Sequence, residues 1–228
     1  MNLVLSSEHG GNRLPARFRS TFWSAQAALE SHRGWDAGSL QLARQLARRS
    51  SAPLVACTTS RLLIDLNRSL GHAKLFSEWT RGLPQAERER LVERWWHPHR
   101  DELAAWIEAQ PKGPVLHLSV HSFTPVWEEV EREVDVGLLY DPARKRERAF
   151  VDDYIDALQK RGPKLRIRRN QPYRGTADGL TTAFRKRFRP TRYLGVELEV
   201  SQRYPLGPAD EWKRLRSDLC AALDASLS

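Results

Sequence analysis

Cysteine is scarce in this sequence and long hydrophobic runs are missing. The 228 residues contain two cysteines, Cys57 and Cys220. They can form at most one disulfide, which excludes a cystine-stapled scaffold and a thiolate zinc site. No stretch approaches the roughly 18 apolar residues needed to cross a bilayer, so no membrane partner is expected. Met1–Gly11 lacks a basic segment followed by an apolar one, so no secretory leader is visible and the cytoplasm is the expected location. Internal repeats and low-complexity linkers are also lacking, and residues 1–228 read as one domain. Acidic residues are the minority, with 28 Asp and Glu against 37 Lys and Arg and a formal charge of +9. That balance excludes an acidic tail protein and favours an anionic partner, from nucleic acid down to a small carboxylate. A hydrophobic share of 40% with 29% charged residues excludes a disordered chain.

Short apolar runs alternate with amphipathic segments. Strands are predicted at Leu3–Ser6, Pro53–Cys57, Leu62–Ile64, Val115–His121, Val136–Leu139, Leu165–Arg169 and Tyr193–Val200. Asp36 is placed to cap a helix through Leu40, Ala43 and Leu46. A long helix should start near Pro84, carry Leu91, Trp95, Leu103, Trp106 and Ile107 toward the core, and kink or break at Pro98. Further helices are expected over Arg146–Leu158, Thr176–Arg187 and Pro208–Leu223, and a loop over Ser122–Pro125. This alternation predicts a three-layer α/β/α fold.

Reactive side chains gather where the predicted strands end, which is where open α/β sheets bind ligands. His9 follows the first strand in a glycine-flanked turn, and His121 ends another. Two histidines and a carboxylate make the three-ligand pattern of catalytic zinc. His117 lies four residues before His121, about 13 Å away along an extended strand, so the two cannot share one metal. A buried, hydrogen-bonded His117 is expected instead. Glu197 and Glu199 share one side of a strand. They form either the solvated face of an edge strand or a general base beside a metal. Around Leu62–Ile64 stand Arg61, Asp65, Asn67 and Arg68, and spacing alone favours a surface ion pair between Asp65 and Arg68.

Five short motifs follow one another in order: Glu8-His9-Gly10-Gly11-Asn12; Ser60-Arg61 with Asp65-Leu66-Asn67-Arg68; Ser119-Val120-His121-Ser122-Phe123-Thr124-Pro125; Asn170-Gln171-Pro172-Tyr173; and Gly195-Val196-Glu197-Leu198-Glu199. Together, over nearly the whole chain, they resemble the N-formylglutamate amidohydrolase family, itself similar to the zinc carboxypeptidase and aspartoacylase superfamily. The resemblance implies a zinc-exopeptidase-like α/β fold with a mixed central sheet. It implies one zinc ion, or another divalent metal, held by His9, His121 and a third ligand. The superfamily's first motif is His-x-x-Glu, but here the third residue after His9 is Asn12, a poor zinc ligand. Asp36, in Gly34-Trp35-Asp36-Ala37-Gly38, matches an Asp-x-Gly element of the family and is read as the replacement, with Glu8 as fallback.

The same resemblance implies Glu197, rather than Glu199, as general base. It implies Arg61 as oxyanion donor, Asn67 and Arg68 as the grip on a substrate carboxylate, and Tyr173 as a donor closing over the site. The expected reaction is hydrolysis of an N-formyl or other N-acyl amino acid, N-formylglutamate-like, to formate and the free amino acid. Arg13, Arg169 and Arg174 are all available for a second carboxylate, and a peptidase would use the same machinery. Basic clusters at Arg144–Arg148, Arg166–Arg169 and Arg185–Arg189 make a non-catalytic nucleic-acid-binding protein the rival class, though no nucleic-acid-binding motif is recognisable.

Overall fold

In the computed structural model, which describes residues 1–111 and 113–227, strands and helices alternate. The order is β1 (Asn2–Ser7), α1 (Gln26–Glu30), α2 (Ser39–Ser50), β2 (Leu54–Ala56), α3 (Gln85–Leu91), α4 (His97–Ala109) and β3 (Val115–Phe123). It continues with β4 (Val126–Trp127), β5 (Val130–Glu131), β6 (Val136–Leu139), α5 (Lys145–Arg161), β7 (Ile167–Arg169), α6 (Leu180–Arg187), β8 (Tyr193–Ser201) and α7 (Ala209–Leu227). Six strands form one mixed sheet in the order β2-β1-β3-β8-β6-β7. Within this sheet only the β6–β8 pair is antiparallel among the described residues.

Period-two alternation gives this sheet two different faces. Leu116, Leu118 and Val120 of β3 and Val196 and Leu198 of β8 face a large apolar cluster built on α2, α5 and α7. Each fully buried aliphatic side chain there contributes about 1.5–3 kcal/mol. On the opposite face Val115 and Tyr193 pack under α4 and α6. Further along the same face the buried residues become polar: His117, Ser119, His121, Glu197 and Glu199. The register sets Ser119 beside Glu197 and His121 beside Glu199. The layered mixed α/β fold is therefore present, and the polar half of one face prepares a site.

Several local expectations change. Leu62–Ile64 is not a strand; it forms a turn whose side chains enter a separate core cluster with Phe18, Phe22, Leu75 and Leu91. Pro98 does not break the helix, because a π-helical turn at Val92–Trp96 precedes it and leaves the proline in the first turn of α4, where no amide donor is needed. Trp106 is exposed rather than in the core. The helix after Asp36 begins at Ser39 and is capped by Gly38 in the left-handed conformation, so the Asp36 carboxylate is not a cap. The helix foreseen from Thr176 begins at Leu180. Strand β8 is an inner strand, which rules out the solvated-edge reading of Glu197 and Glu199.

Candidate metal centre and active site

Three buried side chains from distant positions converge at the carboxyl ends of the strands. His9 follows β1, His121 lies near the end of β3, and Asp36 lies in the turn before α2. The Asp36 amide donates to the His9 carbonyl at 2.9 Å, and its own carbonyl accepts from the Ser39 hydroxyl at 2.8 Å. This pinned turn aims the carboxylate at the sheet. Asp36 Oδ2 stands 2.9 Å from Nδ1 of His121 and 3.4 Å from Nδ1 of His9. His9, Asp36 and His121 thus offer one donor atom each within 4.8 Å of one another.

The opposite ring nitrogens are held just as firmly. Nε2 of His9 lies 2.7 Å from Asp65 Oδ1, and Nε2 of His121 lies 2.9 Å from Glu8 Oε2. Ser119 also donates its hydroxyl to Glu8 Oε2 at 2.7 Å. A carboxylate behind each imidazole orients the ring and, in a metal-binding neutral form, would hold the proton on Nε2 and leave Nδ1 to face forward. Tetrahedral coordination with bonds near 2.1 Å separates its ligands by roughly 3.4 Å, close to the spacing seen here. The donor set of two imidazoles and one carboxylate, with space above it, fits a divalent metal. The fallback Glu8 does not join the set, because it sits on the far side of His121, and Asn12 instead donates its amide to the Leu29 carbonyl.

Strong fields act on these groups. Burial opposes charge on His121, but its contacts with Asp36 and Glu8 outweigh this and raise its pKa well above the usual histidine value. Burial and Arg61 oppose protonation of His9, yet Asp65 and Asp36 raise its pKa as well. Asp65 is drawn below the normal carboxylate range despite its burial, chiefly by Arg61 and His9.

Around the three donors opens a cavity of about 710 Å³, lined in part by Arg61, Asn67, Arg68, Tyr173, Glu197 and Glu199. Arg61 donates to Asp65 Oδ2 through Nη2 at 2.7 Å and reaches Asp36 through Nη1 at 3.5 Å. Asp65 therefore pairs with Arg61 and His9 rather than with Arg68. Asn67 accepts the Leu180 amide on Oδ1 at 2.6 Å, which turns its NH2 group elsewhere. Arg68 donates to the Asp178 carbonyl at 2.8 Å, and its buried Nε has no partner among the described residues. Glu197 Oε1 accepts the Thr181 hydroxyl at 2.6 Å. Glu199 Oε2 is buried without a partner among the described residues, and burial pushes that carboxyl up to about 8. Tyr173 approaches from the loop before α6. His117 stays out of the site: its two nitrogens lie 2.7 Å from the hydroxyls of Ser6 and Tyr193.

Some of the site was not foreseen. The roles of Asp65 and Glu8 behind the imidazoles were hidden, although both residues stand inside the motifs. The β4–β5 hairpin at the cavity mouth was missed altogether. Its turn residues Glu128 and Glu129 both have positive φ, 49° and 66°. Asn-Gly or Asp-Gly ordinarily announces such a turn, and a Glu-Glu pair carries no such signal.

A mixed α/β sheet with a buried histidine–carboxylate cluster at its strand ends and a polar cavity above it defines a hydrolase-like scaffold able to hold a metal. The family model for N-formylglutamate amidohydrolase matches residues 1–204, and the chain belongs to that family of amidohydrolases. Two solved structures are similar in fold. A gene product from Agrobacterium tumefaciens is 27% identical with a TM-score of 0.82, and the match covers 99% of this chain and 90% of that one. The N-formylglutamate amidohydrolase from Ralstonia eutropha is 20% identical with a TM-score of 0.74, covering 100% and 93%. No curated protein matches the chain significantly.

Proposed function

We propose that this chain, acting as one domain over residues 1–228, is a zinc-dependent hydrolase of N-formyl or other N-acyl amino acids, N-formylglutamate-like in substrate. The observation that carries this reading is the convergence of two Nδ1 atoms and Asp36 Oδ2 beneath a cavity onto which Arg61 and Glu197 open. His9, Asp36 and His121 would hold the metal. When bound, a divalent ion supplies Lewis acidity that polarises a carbonyl and lowers the pKa of water from 15.7 to roughly 7.

The remaining work falls to the protein. Glu197, with Oε1 fixed by Thr181, takes the proton of the attacking water on its other oxygen and returns it to the leaving nitrogen. Arg61, locked by Asp65 and Asp36, donates to the oxyanion of the tetrahedral intermediate. A single such donor is worth about 3–4 kcal/mol. Asn67 and Arg68 grip the α-carboxylate, and Tyr173 adds a hydroxyl at the cavity edge. Free thiols at Cys57 and Cys220 suit a reducing compartment such as the cytoplasm.

Metal analysis by mass spectrometry, paired with formate release from N-formyl amino acids, tests the reading. One equivalent of zinc and metal-dependent release are expected. Glu197→Gln should keep its metal and lose about 10²–10⁴-fold in kcat. Full turnover in that variant, with loss in Glu199→Gln, would transfer the base role to Glu199.

A further inference from the structure

We propose that Arg132 determines specificity at this site by receiving the second carboxylate of a dicarboxylic N-acyl amino acid; the inference rests on the N-acyl amino acid reading above. Seven cations line the cavity, and most are already committed or unfixed. Arg61 is held by Asp65 and Asp36 and assigned to the oxyanion, and Arg33 pairs with Glu78. Arg68 is held at the Asp178 carbonyl, beside Asn67. Lys74, Arg81 and Arg174 have no side-chain hydrogen bond or ion pair among the described residues. Of the other arginines considered for this role, Arg169 pairs with Asp152 outside the cavity, and Arg13 does not line it.

Arg132 is fixed, has no ion pair among the described residues, and unlike Arg61 and Arg68 has no part in the chemistry proposed above. Its guanidinium carbon lies 5.8 Å from the ring centroid of Phe123, 5.4 Å from that of Trp127 and 5.2 Å from that of Tyr173. Nη1 makes both of its hydrogen bonds, to the Thr124 carbonyl and the Tyr173 hydroxyl, each at 3.2 Å. Nε and Nη2 have no acceptor among the described residues. That edge of the fork suits the two oxygens of a carboxylate. Glu128, Glu129, Glu131 and Glu133 surround Arg132 in sequence, but none forms an ion pair with it among the described residues. Three rings have already removed most of the side chain's freedom, so a ligand would not have to order it.

The hairpin supplies a second observation. Its two-residue turn holds two glutamates at positive φ, a conformation that costs energy for residues with a Cβ and concentrates at functional positions. The turn places Trp127 against the guanidinium on one side and His32 on the other, 6.1 Å from ring to ring. Both Trp127 and His32 line the cavity.

Formate release by the metal-loaded enzyme should be compared for N-formylglutamate and the neutral N-formylnorleucine, in the native protein, Arg132→Gln and Arg132→Lys. Native enzyme should favour N-formylglutamate. Arg132→Gln should raise KM for N-formylglutamate by about ten- to a hundredfold, the value of one charged hydrogen-bonded contact, with kcat within about twofold. Its constants for N-formylnorleucine should stay put, and Arg132→Lys should recover part of the loss. No native preference for the diacid, or equal losses on both substrates, would overturn the assignment. Glutarate binding, followed by tryptophan fluorescence, separates this inference from the hydrolase reading. Arg132-dependent glutarate binding without formate release would sink the hydrolase reading alone, whereas formate release with glutarate binding indifferent to Arg132 would sink this one alone.

Discussion

His117 shows how a buried residue of the polar face can serve stability instead of chemistry. Burial lowers its pKa to about 4 from 6.5, and hydroxyls on both sides satisfy the neutral ring. Below pH 6.5 the unfolded chain takes up a proton that the folded chain refuses until about pH 4. Stability must therefore fall as pH drops through that window, by up to about 1.4 kcal/mol per pH unit for one proton. Urea unfolding at several pH values should show this slope in the native protein and a shallower one in His117→Gln. Identical slopes would show that His117 does not control the acid limb. The same face also shows why residue type alone does not assign a role. Histidines 117 and 121 are both buried, but one meets hydroxyls and the other meets two carboxylates. Asp65 belongs to a motif read for its arginine and asparagine neighbours, and its carboxylate is what joins His9 to Arg61.

Whole elements set the cavity's dimensions. The loop between β7 and α6 carries Tyr173 and is tied down at both ends. Asn170, at φ 53°, accepts the amides of Tyr140 and Gly175 on its side-chain oxygen, both at 3.0 Å. A Cβ on Gly175 would stand 2.1 Å from the Tyr140 nitrogen, so only glycine permits this approach. Behind it, Arg185 of α6 donates to the Gly175 carbonyl at 2.6 Å and pairs with buried Glu147 of α5. Gly175→Ala should therefore displace the loop, lowering stability by roughly 1–3 kcal/mol. KM should rise more than kcat falls, because Tyr173 moves while the three metal donors do not. Denaturation paired with steady-state kinetics checks both, and a kcat loss at constant KM would contradict the account. The π turn before α4 is a second device at this scale: it lets Leu91, Leu103 and Ile107 all stay buried across a proline.

At the scale of the molecule, many arginines of the basic clusters are engaged within the fold. Arg144 donates to the carbonyls of Arg185 and Tyr193, and Arg146 to that of Thr191. Arg166 is occupied by Asp135, Arg169 by Asp152 and Arg187 by Glu108. The basic clusters are thus divided among separate internal contacts, whereas the cavity concentrates its cations in one place. A metal that binds only the folded chain adds RT ln(1 + [L]/Kd), about 2.7 kcal/mol at a hundredfold excess over Kd. For a chain of this size, that predicts a rise in Tm of roughly 5–10 °C on adding zinc to metal-stripped protein. Asp36→Ala should abolish the rise in differential scanning calorimetry. An unchanged shift in that variant would place the metal elsewhere.

Alternation of apolar and polar residues ordered most strands and helices, because a side chain's face depends only on its local period, but it misread Leu62–Ile64 and gave no sign of the β4–β5 hairpin. Strand ends and a glycine turn drew attention to His9 and His121, whereas Arg61 and Glu197 were singled out only by the family resemblance; spacing alone left Glu197 between a solvated face and a general base and favoured a surface ion pair beside Arg61. Bringing Asp36 to His9 and His121 while Glu8 falls behind His121, setting β8 inside the sheet, and caging Arg132 with three rings belonged to the tertiary structure. Those outcomes are distances between positions tens of residues apart, and they depend on which strands become neighbours. Local periodicity does not encode that.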